Sequence, residues 1–432
     1  MRKQVTFRSI MSFILAVAFA LSLVVAAPIT TDAAEEETIY AAPLKDGDQK
    51  TVDYLLNKDL TNKIVILHTT DVHGALIKLA NVSTLKKELE AKGADVLLID
   101  GGDFSYAKEH KDKPEAPKEY EYLNDSHGLG AITVMNALGY DYATIGNHEY
   151  EFGASDLKKN LQYANFQTMS ANIKSSDSTR TDGFTYTPHV IYQNKDNPGI
   201  KIGLFGVTSI ETRGQGKSKL NGTEIIGEAN VNNDKKFHNP LYDIANAQVK
   251  ALKSEGADTI IAVAHLGVKL KDSRNKYLKD NRSVDMYNNM ELDSDGTNPI
   301  DLILDGHSHN SLVAGEKGEP IMSGGIRLDN LGVVILDNQD KNDPIKERFL
   351  ISLADLERGA KADPEITELV GLISDNKIDL EGFTRAQHEA FLRGETVPVL
   401  PENKVSGKGG NPNDNKKSTK PTKNRNSKRN HR

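Results

Sequence analysis

The stretch ILDGHSHN, residues 303–310, ends an aliphatic run with two histidines one residue apart. If the run continued as a strand, His307 and His309 would point to the same side, because side chains alternate along extended backbone. In a turn at the end of the strand, both rings can converge on one point. That point is either solvent or something that takes two imidazoles. Which of these holds depends on whether other strands of the chain end the same way.

Four others do. "KIVILHTTD" (63–71) runs into Asp71-Val72-His73, and "DVLLIDGGD" (95–103) into Gly101-Gly102-Asp103. "DYATIGNHE" (141–149) closes on Gly146-Asn147-His148-Glu149, and "DTIIAVAHLG" (258–267) carries His265 near its end. Five of the twelve histidines fall at these ends. Between them lie stretches with helical spacing at 79–93, 128–139, 155–165 (with Ser155 expected as its cap) and 242–256. Further strands are expected at 166–172, 200–209 and 331–337. Strand–helix alternation on this scale predicts an α/β domain with largely parallel pairing. Strands covered on both faces read as unbroken aliphatic runs, as these do. In open sheets of this kind ligands bind at the carboxyl ends of strands, where these polar residues sit.

The residue types make one chemistry. Asp, Asn and His supply oxygen and nitrogen ligands suited to divalent Mn, Fe, Zn or Co. A carboxylate can bridge two cations, and two cations about 3.5–4 Å apart can clamp a phosphoryl oxygen during in-line displacement. Glycines beside the ligands let the backbone turn sharply toward an ion. Each motif alone has a plain structural explanation: an Asp-x-His turn, a GGD turn, a single core histidine at 265. Five together, each closing an apolar strand, point to one shared site. His68 lies inside the first strand, three residues before Asp71, and is assigned to packing or to supporting a ligand.

The remaining sequence bounds the setting. The chain of 432 residues has no cysteine, which excludes thiolate metal sites and cysteine nucleophiles. An exported fold without disulfides must then rest on core packing or metal. Residues 1–33 read as a signal peptide: Arg2, Lys3 and Arg8, then "IMSFILAVAFALSLVVAA", then small residues up to Ala33-Ala34. Cleavage near Ala33 would place the protein outside the cell or on its wall; an uncleaved anchor is the alternative. From Lys404 onward ten Lys/Arg face one acid, in a chain of net charge −7. This tail lacks large apolar side chains and is expected to be disordered. Weak attraction to an anionic wall polymer is expected of it, without specific nucleic-acid binding. Two polar, tyrosine-containing insertions, 105–127 and 269–298, are either substrate-facing lids or surface elaboration.

Taken in order and spacing, "TTDVHG", "GGDF", "GNHEYEFG", "VAHLG" and "DGHSHN" resemble the five blocks of the calcineurin-like metallophosphoesterases. More narrowly they resemble the N-terminal catalytic domain of the bacterial secreted 5′-nucleotidase and 2′,3′-cyclic phosphodiesterase family. "SGGIRLDNLGVVILD" (323–337) is similar to that family's segment after the last block. The resemblance covers residues 60–345 and implies a four-layer αββα sandwich with two divalent metal ions at the strand ends. It implies that Asp71, His73 and His309 hold one metal, that Asp103 bridges, and that Asn147, His265 and His307 complete the second site. Asn147 and His148 would border the bound phosphate. His148 would not ligate; it would stabilise transition-state charge or protonate the leaving oxygen. The family usually has an Asp three residues after this histidine to orient the ring. Here that position is Glu151, whose longer arm alters the dyad. The position of His309 is often Gln.

The division drawn from this is a signal peptide (1–33), an N-terminal extension (34–59), the catalytic domain (60–345), a helical C-terminal extension (346–400) and the basic tail (401–432). Two-domain members carry base-stacking aromatics in a second domain. The roughly 60 residues between 345 and the tail leave no room expected for it, so nucleotide selectivity is not implied. The expectation is a secreted monomer that hydrolyses phosphate mono- or diesters, nucleotide-like ones included, by attack of a hydroxide held on the two metals. Two readings stay open beside it. One is an inactive or weakly active metal-stabilised surface protein held by its basic tail. The other is hydrolysis of a sulfur-linked ester on the same core.

Overall fold

A computed structural model describes residues 41–105, 126–175, 186–227, 230–231, 237–268 and 280–395. The expected signal peptide, the start of the N-terminal extension, most of the 105–127 insertion, the first part of the 269–298 insertion and the basic tail lie outside the described residues.

Period-two alternation within the central strands builds the layers. In β1 (Lys63–Thr69), Ile64 and Ile66 face a second sheet, whereas Val65 and Leu67 face helices. The same division holds in β2 (Asp95–Asp100), with Leu97 and Ile99 inward and Val96 and Leu98 outward. β3 (Tyr142–Thr144) and β4 (Gln167–Met169) follow in parallel. The second sheet is built from β5 (His189–Tyr192), β6 (Ile202–Thr208), β7 (Thr259–His265), β8 (Leu302–Leu304), β9 (Ser311–Leu312) and β10 (Ile321–Gly324). β11 (Asn330–Asp337) and β12 (Ile345–Ser352) return to the first sheet. The strand orders are β12-β11-β1-β2-β3-β4 and β9-β10-β8-β7-β6-β5. Pairing is parallel through the centre of both sheets and antiparallel toward β11, β12, β9 and β5.

Between the sheets Ile64, Ile66, Leu97 and Ile99 meet Leu204, Ile261, Val263, Leu302 and Leu304. Each such side chain contributes about 1.5–3 kcal/mol when fully buried. Beyond the second sheet, helix Pro240–Ser254 lays Leu241, Ala245, Val249 and Leu252 on Phe205, Val207, Ala262 and Ala264. Asn239 caps that helix by accepting from the Leu241 amide, and Pro240 takes the first-turn position where no donor is needed. Beyond the first sheet lie helices Leu79–Ala91, Leu129–Leu138, Pro364–Ser374 and Leu380–Leu392. The result is the αββα sandwich. Among the described residues no helix is long and apolar enough to cross a membrane.

Some local expectations shift. The strand expected over 141–149 stops at Thr144, and the remainder turns to present Asn147 and His148. The helix expected to be capped by Ser155 instead has its N-cap at Gly153, with φ of 95°, and no side-chain cap. Residues after 345 are continuous with the sandwich: β12 extends the first sheet, and Ile366, Leu369, Val370 and Phe383 share the core of its outer face. Asp363 ties this part to the helix of residues 79–91, accepting from Ser83 at 2.7 Å and Lys87 at 2.6 Å.

Candidate metal centre

The five polar strand ends meet at one rim. β1, β2 and β3 of the first sheet deliver Asp71 and His73, Asp103, and Asn147 and His148. β7 and β8 of the second deliver His265, and His307 and His309. Asp71, His73 and His309 offer ligand atoms within 4.8 Å of one another, and so do Asp103, His265 and His307. A third group, His73, Asp103 and His148, overlaps both. Asp103 Oδ2 lies 3.6 Å from His73 Nε2 and 3.1 Å from His265 Nε2, so one carboxylate reaches both main groups. His309 Nε2 stands 3.4 Å from Asp71 Oδ1. His307 and His309, separated only by Ser308, thus fall into different groups.

The backbone is bent to achieve this. Asp71, His73, Asp103, His307 and His309 all adopt positive φ, between 44° and 75°. Left-handed backbone costs an L-residue roughly 1–2 kcal/mol, and such strain gathers at functional sites. The glycines beside them serve another purpose at two positions, where φ is ordinary. A Cβ at Gly146 would collide with the Asp103 carboxylate, and one at Gly306 with the Thr70 hydroxyl.

Divalent cations fit these donors. The Asn147 Oδ1 is buried and accepts no hydrogen bond, a costly state for an amide oxygen that a cation would relieve. His265 Nδ1 donates to the Gly101 carbonyl at 2.7 Å, which orients the ring and leaves Nε2, facing Asp103, as the nitrogen that a cation would take in place of a proton. Hard oxygen and borderline nitrogen donors, with no thiolate, suit Mn, Fe, Zn or Co.

Electrostatics show how crowded the centre is. Burial raises the Asp103 carboxyl, but His265, His148 and His73 outweigh it and hold the group well below the usual carboxylate range. Burial lowers His265, and Asp103 and Asp71 overcome this, lifting it to about 10. Burial also opposes charge on His148, where Asp103 and Glu151 prevail and raise it. The His148 ring donates from Nδ1 to Glu151 Oε1 at 2.8 Å. Glu151 keeps its charge: burial raises it, but His148, Lys219 and Gln215 bring it down to about 2.

Other residues of this site went unassigned in the sequence. Glu149 is buried and accepts from the amides of Asp103 (2.8 Å), Ser105 (3.1 Å) and Gly146 (2.7 Å), so it ties the loops after β2 and β3 together. Asp305 does the same between β7 and β8, accepting from the amides of Leu266 and Gly267 at 3.1 Å. Glu211 Oε2 lies 2.6 Å from His307 Nε2. Both carboxylates inside the motifs were visible as letters, but most of their partners are amides of loops that follow other strands. His68 is a support rather than a member: its ring nitrogens approach the carbonyls of Ile99 (3.3 Å) and Asp305 (3.2 Å), across the seam between the sheets.

A sandwich of two mixed sheets with Asp, Asn and His converging at the strand ends defines a metallophosphoesterase. A model of the calcineurin-like phosphoesterases matches residues 64–311, more than half of the 432-residue chain, and the chain belongs to that family. It is 27% identical over 266 residues to a 5′-nucleotidase of Vibrio parahaemolyticus, covering 58% of this chain and 40% of that one. It is 30% identical over 221 residues to protein UshA of Escherichia coli, covering 49% and 35%. The chain therefore spans less than half the length of these curated relatives. In three dimensions it resembles the calcineurin-like phosphoesterase YfkN from Bacillus subtilis, with a TM-score of 0.54 at 23% identity, over 75% of this chain and 99% of that one.

Proposed function

We propose that this protein is a secreted, dinuclear metal-dependent phosphoesterase that hydrolyses phosphate mono- or diesters, nucleotide-like ones among them. The observation that carries the reading is the sharing of Asp103 between two groups of ligand atoms. Asp71, His73 and His309 would hold one cation, and Asn147, His265 and His307 the other, with Asp103 between them. When bound, two such cations supply Lewis acidity at the phosphoryl oxygens and water acidic enough to serve as nucleophile near neutral pH.

The side chains supply the rest. His148, with its Nδ1 proton held by Glu151 and its basicity raised by Asp103 and Glu151, has Nε2 left to carry the proton that is transferred. It is the proton donor to the leaving oxygen, a role worth about 10²–10⁴-fold in rate. Its own backbone amide donates to Asp103 Oδ1 at 2.8 Å, which keeps the acid in register with the bridging carboxylate. Asn147 presents its side-chain oxygen beside it and borders the phosphate. The secretion reading rests on the tripartite pattern of residues 1–33. A panel of nucleoside monophosphates, cyclic nucleotides and aryl phosphates, assayed with Mn, Zn, Co or Fe, tests the proposal. Turnover of at least one ester is expected; no turnover of any ester with any metal would favour the non-enzymatic surface protein.

A further inference from the structure

Glu151 is held by more than the histidine it orients. Its Oε1 accepts from His148 Nδ1 at 2.8 Å and from Gln215 Nε2 at 2.9 Å, and its Oε2 accepts from Lys219 Nζ at 2.6 Å. Lys219 also donates to Gln215 Oε1 at 3.1 Å, and Gln215 Nε2 approaches the Asn147 carbonyl at 3.3 Å. Both residues come from one short segment after β6, a 3₁₀ turn over Ile210–Gln215 followed by a helical turn over Lys217–Leu220. That segment is itself anchored. Ser209 accepts from the Glu211 amide at 3.2 Å, and Arg213 Nε donates to the Ile225 carbonyl at 2.9 Å.

A glutamate has one more rotatable bond than an aspartate, so holding a histidine ring with it costs additional side-chain entropy. Two fixed donors on its oxygens absorb that cost before substrate arrives. An ion pair with Lys219 38% exposed adds little to folding stability, so its effect is sought in positioning.

We propose that Gln215 and Lys219 are positioning residues for proton transfer to the leaving group, clamping both oxygens of Glu151 so that His148 Nε2 stays aimed at the leaving oxygen. The inference rests on the phosphoesterase reading above. In the step concerned, water forms the new bond to phosphorus and gives up a proton to solvent. The bond from phosphorus to the leaving oxygen breaks with its electron pair on oxygen, and that oxygen takes the Nε2 proton of His148. The ring is reprotonated from solvent.

The clamp should matter in proportion to the need for an acid. With the metal-loaded full chain, kcat is measured on phenyl phosphate, whose leaving group needs protonation, and on 4-nitrophenyl phosphate, whose leaving group needs it far less. Lys219→Met and Gln215→Leu are each expected to lower kcat on phenyl phosphate about tenfold or more, and on 4-nitrophenyl phosphate less than about threefold. KM and bound metal per chain stay at wild-type values, and Lys219→Arg recovers most of the loss. Equal losses on both esters, no loss on either, or an arginine variant no better than methionine would overturn the clamp. A wild type that turns over neither ester with metal present would instead remove the phosphoesterase reading beneath it. Should Lys219→Met fail to fold, seen as lost metal, Gln215→Leu carries the test alone.

Discussion

The two ligand groups at the rim differ in how they meet solvent. In the group of Asp71, His73 and His309, the last ring is 37% exposed. In the group of Asp103, His265 and His307, every side chain is buried, and Glu211 Oε2 lies 2.6 Å from His307 Nε2. Cation–ligand interactions strengthen where water is excluded. The enclosed group should therefore hold its cation longer, and the open group should be where cation exchange and substrate entry occur. The left-handed backbone is common to both, so the contrast comes from surroundings rather than from loop geometry.

Mutations can break or sharpen this contrast. The largest effect is expected at the shared carboxylate. Asp103→Ala should erase activity and reduce metal content at both positions, read by elemental analysis and ester hydrolysis. His148→Ala should lower kcat about 10²–10⁴-fold while leaving both cations in place. His309→Ala and His307→Ala should each remove one cation but not the same one. The cation left in His309→Ala should exchange slowly with a competing metal, and the one left in His307→Ala rapidly. Equal exchange rates would dissolve the distinction. Glu149→Gln loosens the loops on the enclosed side and should weaken metal affinity there about 10–100-fold, the range seen for residues that orient ligands.

The smallest effect concerns the seam behind both groups. His68 is fully buried, and desolvation holds its imidazole at about 4 against an ordinary value of 6.5. As pH falls below 6.5 the unfolded chain takes up a proton that the folded chain refuses until about 4, so folding loses stability across that window. His68→Gln removes the titration. Wild type should lose on the order of 2 kcal/mol more than the variant between pH 7.5 and pH 5, measured by denaturant unfolding at each pH.

The strand ends were legible because each ligand closes an unbroken aliphatic run, a pattern visible one segment at a time. His307 and His309 could be assigned to separate metals only through family resemblance; their spacing alone allowed both rings on one point. Glu149 and Asp305 stood inside the quoted motifs without an assigned role, since most of their partners are amides of loops that follow other strands. Gln215 and Lys219 carried no signal at all, because nothing in "RGQGKSKL" says that it folds back onto Glu151. β12 escaped for another reason. It lies at a sheet edge, and Lys346, Glu347 and Arg348 break its apolar run, unlike the doubly covered central strands.

Counting divalent metal per chain while following hydrolysis of 4-nitrophenyl phosphate through chelation and metal return tests the two-metal reading most directly. Two equivalents per chain are expected, with activity lost as they are stripped and regained as they are restored. Activity that survives complete chelation, and is equally indifferent to Asp103→Ala, would contradict it.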